Sequence, residues 1–507
     1  MKKVIIFPLC MFLVFSFVLA SCSPVENTSK KNTDNTYSDI FSFAQTQRTT
    51  PPQSTKSTDT ASFIDTASTD YNTTKAGDNS TQNSNSSSKN STNNSTDKNN
   101  NKTNSSSKSA SSSEKISTTK NTTKSTSNTT TEKPQQNDGK YQAVNYSTVK
   151  GIWFSYIELY PKLKDKATFE NYIKTAFDNV KIDGYNTVFV HVRAFGDALY
   201  PSDYFALAGT RAKTLTGSRN FDPLQIMVNE AHKRNLSIHA WINPYRIANY
   251  SSVKGNFTLK NWWNDSYTKK HYIKEAYNES GSFLWYVLNP AIDEVVELIT
   301  NGVKEIVENY NVDGIHMDDY FYPSSLKDND TSFDYEQFKN SGYSDIRKFR
   351  ISNTTKLVKN INKAIKSINS SVKFGIAPTG NNYQYKSSGI PWNDYIDSKA
   401  WINNKYIDYI APQIYWSFNN KSLPFETAFN GWANLTKGSS VKLVIGITLS
   451  APNSSSFKSE QDVLKRQAQI ALNQANGLII YKYAELYGSS DFYVNEEIQA
   501  MKPIIKG

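Results

Sequence analysis

The stretch NVDGIHMDDYFYP, residues 311–323, sets two aspartates side by side at the end of an apolar run and follows them with aromatics. Side chains alternate faces along a strand. Ile315 and Met317 therefore share one face, and His316 and Asp318 share the other. The aliphatic face suits a layer of helices. The polar face ends in a carboxylate, after which Asp319 and Tyr320 begin a loop. The same division recurs in three other runs. Val188, Val190 and Val192 oppose Phe189, His191 and Arg193; Ile238, Ala240 and Ile242 oppose His239, Trp241 and Asn243; Ile410, Pro412 and Ile414 oppose Tyr409, Gln413 and Tyr415.

Eight such runs follow one another, at 151–156, 187–193, 237–243, 312–318, 373–378, 407–415, 442–449 and 477–483. Helical patterns lie between them at 169–181, 223–235, 290–310, 345–368 and 460–474. Strands alternating with helices imply a parallel sheet. Eight units in one domain predict a (β/α)8 TIM-type barrel, whose active site opens at the C-terminal ends of the strands. The polar residues gather at those ends. Polar groups inside a barrel are costly unless paired or used, which argues for a functional mouth.

Asp318 is the central candidate, as nucleophile, base or substrate-orienting group. The bland alternative is a helix cap or a partner for Arg193. Asp319 beside it can raise one carboxyl toward the acid role, or serve only as a turn residue. Asp197, in RAFGDALYPS, and Glu485, after the eighth run, are further rim carboxylates. Arg193, Asn243 and Gln413 suit a sugar hydroxyl or acetamide, with Trp241 and His316 on the same inward faces. Tyr245, Tyr320, Tyr415 and Trp416 stand just past strand ends, where rings stack on sugars; Trp392 and Trp401 fit the core equally well. His191, His239 and His316 raise a metal reading, but no H-x-H pair or H-E-x-x-H helix supports it. No cofactor is predicted: the chain has no P-loop, dinucleotide fingerprint or G-x-S-x-G elbow.

Ahead of the barrel, Lys2 and Lys3 precede an apolar stretch from Val4 to Leu19, too short for a confident spanning helix. It ends in Leu19-Ala20-Ser21-Cys22, which matches the lipobox of bacterial lipoproteins. Residues 1–21 are read as the signal peptide and Cys22 as the lipid attachment site, where two or three acyl chains anchor stably. The other cysteine, Cys10, lies in the removed segment. The mature domain thus has no disulfide and no thiol chemistry. From 22 to 145 the sequence collapses to Ser, Thr, Asn and Lys. Little there can be buried, so a disordered tether is expected, with a reach of roughly 60 Å. The domain is placed at 146–507. Lys and Arg total 57 against 46 Asp and Glu, without a basic block. Nucleic acid is therefore a poor partner, and mild attraction to anionic wall polymers or lipid headgroups is plausible.

VKGIWFSY, VFVHVRAFGDALYPS, IHAWINPYRI, YVLNPA, VDGIHMDDYFYP and YIAPQIYW occur in that order. Together they resemble the glycosyl hydrolase-like 10 domain of bacterial surface proteins. The resemblance implies a (β/α)8 glycosidase that cleaves peptidoglycan strands stripped of stem peptides. Carried over by motif, its rim residues are Arg193, Asp197, Asn243, Asp318, Asp319, Gln413 and Tyr415. Two departures touch the sugar subsites: His191 stands where relatives commonly have Gln, and APTGNNY is looser than the usual pattern. The fourth run is also similar to the D-G-x-D-x-D-x-E signature of family 18 chitinases, with His316 in place of an aspartate and Tyr320 in place of the acid glutamate. In that likeness Asp318 orients a 2-acetamido group, with Asp319 first choice for the acid.

The expectation is a lipid-anchored, extracytoplasmic glycoside hydrolase facing the cell wall and acting on an N-acetylated glycan. The alternatives are a catalytically inactive glycan-binding lipoprotein and a metal-dependent glycan deacetylase.

Overall fold

The computed structural model describes residues 141–209, 219–248, 272–391, 395–451 and 454–507. The signal segment 1–21, Cys22, the tether up to residue 140, and Trp392 lie outside the described residues.

Strands and helices alternate. The strands are β1 (Val149–Phe154), β2 (Thr187–Arg193), β3 (Ser237–Ile242), β4 (Gly314–Met317), β5 (Lys373–Ile376), β6 (Tyr409–Ile410), β7 (Lys442–Leu443 with Ile445–Thr448) and β8 (Gly477–Tyr481). The helices that follow them in turn are α1 (Lys166–Ile182), α2 (Pro223–Lys233), α3 (Asp293–Asn309), α4 (Ile346–Ile368), α5 (Ser398–Asn403), α6 (Phe425–Thr436), α7 (Val463–Gln474) and α8 (Phe492–Lys506). Adjacent strands pair in parallel, and β1 also pairs with β8. The two halves of β7 are separated only by Val444: the first pairs with β6 and the second with β8. Val444 N–H donates to Ile410 O and Gly446 N–H to Pro412 O, both at 2.9 Å, so the ring of eight strands closes. The predicted (β/α)8 barrel is the observed fold.

Local chemistry sets the element ends. Asp165, Asp222, Asp345, Asp397 and Asp491 each accept a hydrogen bond from the first turn of the helix they precede, a cap worth about 1 kcal/mol. On α3, Val295, Val296, Ile299, Val303, Ile306 and Val307 are buried, the apolar stripe that packs a helix on a sheet. The sixth run, predicted over 407–415, forms regular ladder only at Tyr409–Ile410, with an isolated bridge at Gln413. Pro412 interrupts it because proline has no N–H to donate. Sequence periodicity also missed the short α5, α6 and α8.

The outward residues read from the alternation enter the core beneath the helices: Val188, Val190, Val192, Ile238, Ala240, Ile242, Ile315 and Met317. The inward ones form an aromatic floor. Phe189 lies 4.8 Å from His239 and 4.9 Å from His316, centroid to centroid. Neighbouring strands make room: a Cβ on Gly314 would collide with the His239 ring, and one on Gly375 with the Tyr409 ring.

Between β3 and α3 an insertion adds a three-stranded antiparallel sheet of Arg246–Ala248, Phe283–Leu288 and Ile273–Tyr277. At the opposite end of the barrel, residues 141–147 lie against the strand starts. Asp313, at the foot of β4, accepts from Tyr141 Oη and Val144 N–H at 2.5 Å, and from Ile238 N–H at 2.7 Å. Ala143 N–H donates to Ser371, Tyr146 Oη to Asn235 O, and Lys442 Nζ to Tyr146 O. Among the described residues, contacts with the barrel are already present at Tyr141, five residues before position 146. Among the described residues no helix is long and apolar enough to cross a membrane.

Candidate active site

The floor is a chain of hydrogen bonds between rings. Trp153 Nε1–H, which can only donate, gives its hydrogen to His316 Nε2 at 3.0 Å. The His316 proton therefore sits on Nδ1, which donates to Tyr409 Oη at 3.0 Å, and the Tyr409 hydroxyl donates to His239 Nδ1 at 2.9 Å. Burial holds both imidazoles neutral: His239 falls to about 4 and His316 well below its ordinary value.

Trp241 lies above this floor. Its ring stacks on His191 at 3.8 Å, nearly parallel, and its Nε1–H donates to Asp318 Oδ2 at 3.2 Å. Tyr320 N–H donates to Asp318 Oδ1 at 3.0 Å. Two donors thus fix the carboxylate just past the end of β4. Asp318 is 5% exposed and Asp319 8%. Burial, then the adjacent Asp319 charge, push the Asp318 carboxyl up to about 7, against the opposing pull of Arg246 and the two donors.

Arg246 was not among the residues singled out from sequence. Its guanidinium lies 4.0 Å over the Tyr320 ring and 4.7 Å over Phe195, and its Nε–H donates to Ala194 O at 3.0 Å. Its charge acts on Asp318, Asp197 and His191 together. The available signal was a cation three residues beyond Asn243, within IHAWINPYRI. Tyr156, Trp153 and Trp285 were also missed; Trp285 stands 5.7 Å from Tyr320.

Asp197 is buried beside this group. Tyr160 Oη donates to it at 2.9 Å and Phe195 N–H at 3.3 Å, and burial raises its carboxyl to about 6. Glu485 is tied elsewhere, accepting from Ser450 Oγ at 3.0 and 2.9 Å. Glu158 reaches about 7 through burial, but its oxygens accept Ser155 N–H and Ala484 N–H, so it clasps the β1 and β8 loops together.

Several sequence expectations are corrected by position. A register shift in β2 pairs Arg193 with the outward-facing Ile242. Its buried guanidinium stacks on Phe205 at 4.3 Å and reaches Pro244 O at 3.4 Å, while its charge still acts on Asp197 and His191. His316 has both ring nitrogens engaged in the floor, which leaves none for a sugar. Tyr245 is fully buried against Phe321 and Tyr322, not open for stacking. The Tyr320 ring carries Arg246. Trp401 is core. Asn243 Oδ1 accepts from His191 Nε2–H at 3.0 Å, while Asn243 Nδ2 and His191 Nδ1 have no hydrogen-bond partner among the described residues. Gln413 is half-buried with Nε2–H donating to Ala377 O at 2.8 Å. Tyr415, half-buried, is 6.5 Å from Tyr481. Trp416, half-buried, packs against the core. Among the described residues no group of three His, Cys, Asp or Glu side chains is arranged to hold a metal ion.

A buried carboxylate pair at a barrel mouth, one member with a raised pKa, can hold and deliver a proton near neutral pH. Comparisons with known proteins place the chain in a family. Residues 148–463 match the family model described as Glycosyl hydrolase-like 10. The chain is 34% identical to glycosyl hydrolase YngK of Bacillus subtilis over 363 residues, covering 68% of this chain and 67% of that protein. It is 32% identical to glycosyl hydrolase DigH of Escherichia coli O6:H1 over 328 residues, covering 60% and 73%. Among solved structures it is similar to the PgaB glycoside hydrolase domain of Bordetella bronchiseptica, with 8% identity, a TM-score of 0.49, and coverage of 71% of this chain and 98% of that one. The chain belongs to the glycosyl hydrolase-like 10 family.

Proposed function

We propose that this protein is a lipid-anchored glycoside hydrolase that cuts an N-acetylated cell-wall glycan, peptidoglycan strands lacking stem peptides, by carboxylate acid/base chemistry. The observation that carries the reading is Asp318: buried, fixed by Trp241 and Tyr320, and raised by burial and by Asp319. In this mechanism Asp318 gives its proton to the glycosidic oxygen as the C1–O bond breaks, and the bonding electron pair leaves with that oxygen; a water then bonds to C1 and gives up a proton that restores the Asp318 acid. Asp319 supplies the negative charge facing the positive charge that develops at C1. Asp197 is a further rim carboxylate, and Arg246 is the counter-charge to Asp318 and Asp197. The anchor and the wall-facing location rest on the sequence from Lys2 to Cys22. The substrate class rests on the family.

The test is digestion of peptide-free wall glycan by the full chain, with products read by mass spectrometry. New reducing ends from the parent, and none from Asp318→Asn, are expected. Binding without new reducing ends sinks the enzymatic reading in favour of a glycan-binding module. Activity lost on chelation points to the metal-dependent deacetylase.

A further inference from the structure

Helices run antiparallel to the strands in this fold, so α3 and α4 begin on the face where β4 delivers Asp318. Between their first turns lies a groove of about 450 Å³, lined by Asp293, Gln337, Asn340, Tyr343, Asn353 and Lys356. That volume lies within the usual range of small-ligand sites.

Its lining is a ring edged with amides. Tyr343 is 44% exposed, one of few large aromatics so open among the described residues. Asn353 Nδ2–H donates to Tyr322 Oη at 3.1 Å, which leaves its oxygen without a hydrogen bond to the described residues. Gln337 accepts from Asn289 at 3.4 Å, which leaves its amide N–H groups likewise. The Asn340 side chain bonds none of them. The charges in the lining cancel locally, Lys356 against Asp293 and Lys339 against Glu336. An uncharged wall with planar donors and acceptors beside an open aromatic face fits a neutral sugar. The sugar's C–H face packs on the ring, and its hydroxyl or acetamide groups meet the amides. The groove is also joined to the segment that carries the carboxylates. Tyr322, which holds Asn353, is four residues beyond Asp318, so at most about 14 Å of extended chain separates their backbones.

We propose that this groove is a distal sugar-binding subsite, which makes the substrate a polymer held at two places and not a short oligosaccharide. The inference rests on the glycan reading above. It assigns Tyr343 and Asn340 to length recognition, apart from the chemistry at Asp318.

The experiment measures binding of peptide-free wall glycan oligomers of graded length to the full-length Asp318→Asn chain, alone and with Tyr343→Ala, Asn340→Ala or Tyr343→Phe added. Tyr343→Ala is expected to weaken binding of long oligomers about five- to tenfold, the effect of one lost ring contact, and to leave the shortest binders unchanged. Asn340→Ala should follow in the same direction. Tyr343→Phe keeps the ring and should stay within about twofold. Unchanged affinity for long oligomers in Tyr343→Ala overturns the subsite, as does an equal loss at every length. If Asp318→Asn alone binds no oligomer, the glycan reading itself fails, a result separate from the other two.

Discussion

Asp318→Asn should make the protein more stable while making it inactive, and the gain should depend on pH. The folded-state pKa of Asp318 is raised from 3.8 to about 7. For an acid with a raised folded pKa, the neutral form is the one the fold favours. Its contribution is complete below the unfolded value and is lost as pH rises through the folded one. The parent therefore gives up stability between pH 3.8 and about 7, at about 1.4 kcal/mol per pH unit, or roughly 4 kcal/mol across the interval. Asparagine has no charge to bury. It does turn one amide N–H₂ toward a donor, either Trp241 Nε1–H or Tyr320 N–H, at a cost of about 1–3 kcal/mol. The variant should thus be more stable than the parent by about 2 kcal/mol above pH 7, or about 2–3 °C in Tm for a domain of this size. Below pH 4 the balance should reverse. Urea unfolding of both proteins from pH 4 to pH 8 measures this. If the two stability curves run parallel across that range, Asp318 is not the buried, raised acid, and the proton-donor role falls with it.

The neighbouring charges should move the activity profile in opposite directions. Asp319→Asn removes a charge that raises Asp318, so the alkaline limb of kcat/KM should retreat to lower pH. A like charge beside a carboxyl shifts it by about one pH unit or more; an unmoved limb refutes the coupling. Arg246→Gln removes the counter-charge, so in the same titration the limb should move upward, and a downward shift would count against the arrangement. At the other end of the barrel, Tyr141→Phe deletes one donor to the buried Asp313. It should lower unfolding free energy by about 1–3 kcal/mol and leave kcat unchanged.

The barrel was legible because its strands keep strict alternation: aliphatic residues face the helices and rings face inward, from Phe189 to Tyr409. Asp318 was legible for the same reason, as the last inward position of β4. Periodicity says nothing about a bulge. One residue's slip in β2 set Arg193 against the ring of Phe205, and only the register reveals it. Arg246 was hidden because it follows the strand, where alternation no longer applies, and because its partners come from two separate segments: Tyr320, and Ala194 with Phe195. Tyr245 and Tyr320 looked like open platforms because a ring past a strand end has no sequence mark for what covers it. Just ahead of position 146, Tyr141 and Val144 give Asp313 two of its hydrogen bonds, contacts that no periodicity marks.

The polar floor explains how a chain can leave a carboxylic acid raised at its centre without losing the fold around it. Buried histidines are usually a cost, yet here each proton is assigned. A donor-only indole fixes His316, His316 fixes the Tyr409 hydroxyl, and that hydroxyl fixes His239. The chain carries no net charge and leaves little rotational freedom to the rings. Gly314 and Gly375 leave space for the rings of His239 and Tyr409 without backbone displacement. Trp241 packs over this rigid layer, 6.2 Å from His316 and stacked on His191. The direction of its Nε1–H, and so one of the two hydrogen bonds that hold Asp318, is set by the floor; the other comes from Tyr320 N–H in the loop. A site whose acid is aimed by strand residues can vary the sequence of its mouth freely. The proposed acid pair of Asp318 and Asp319 would then owe its placement to one strand end, and the proposed sugar contacts to separate loops.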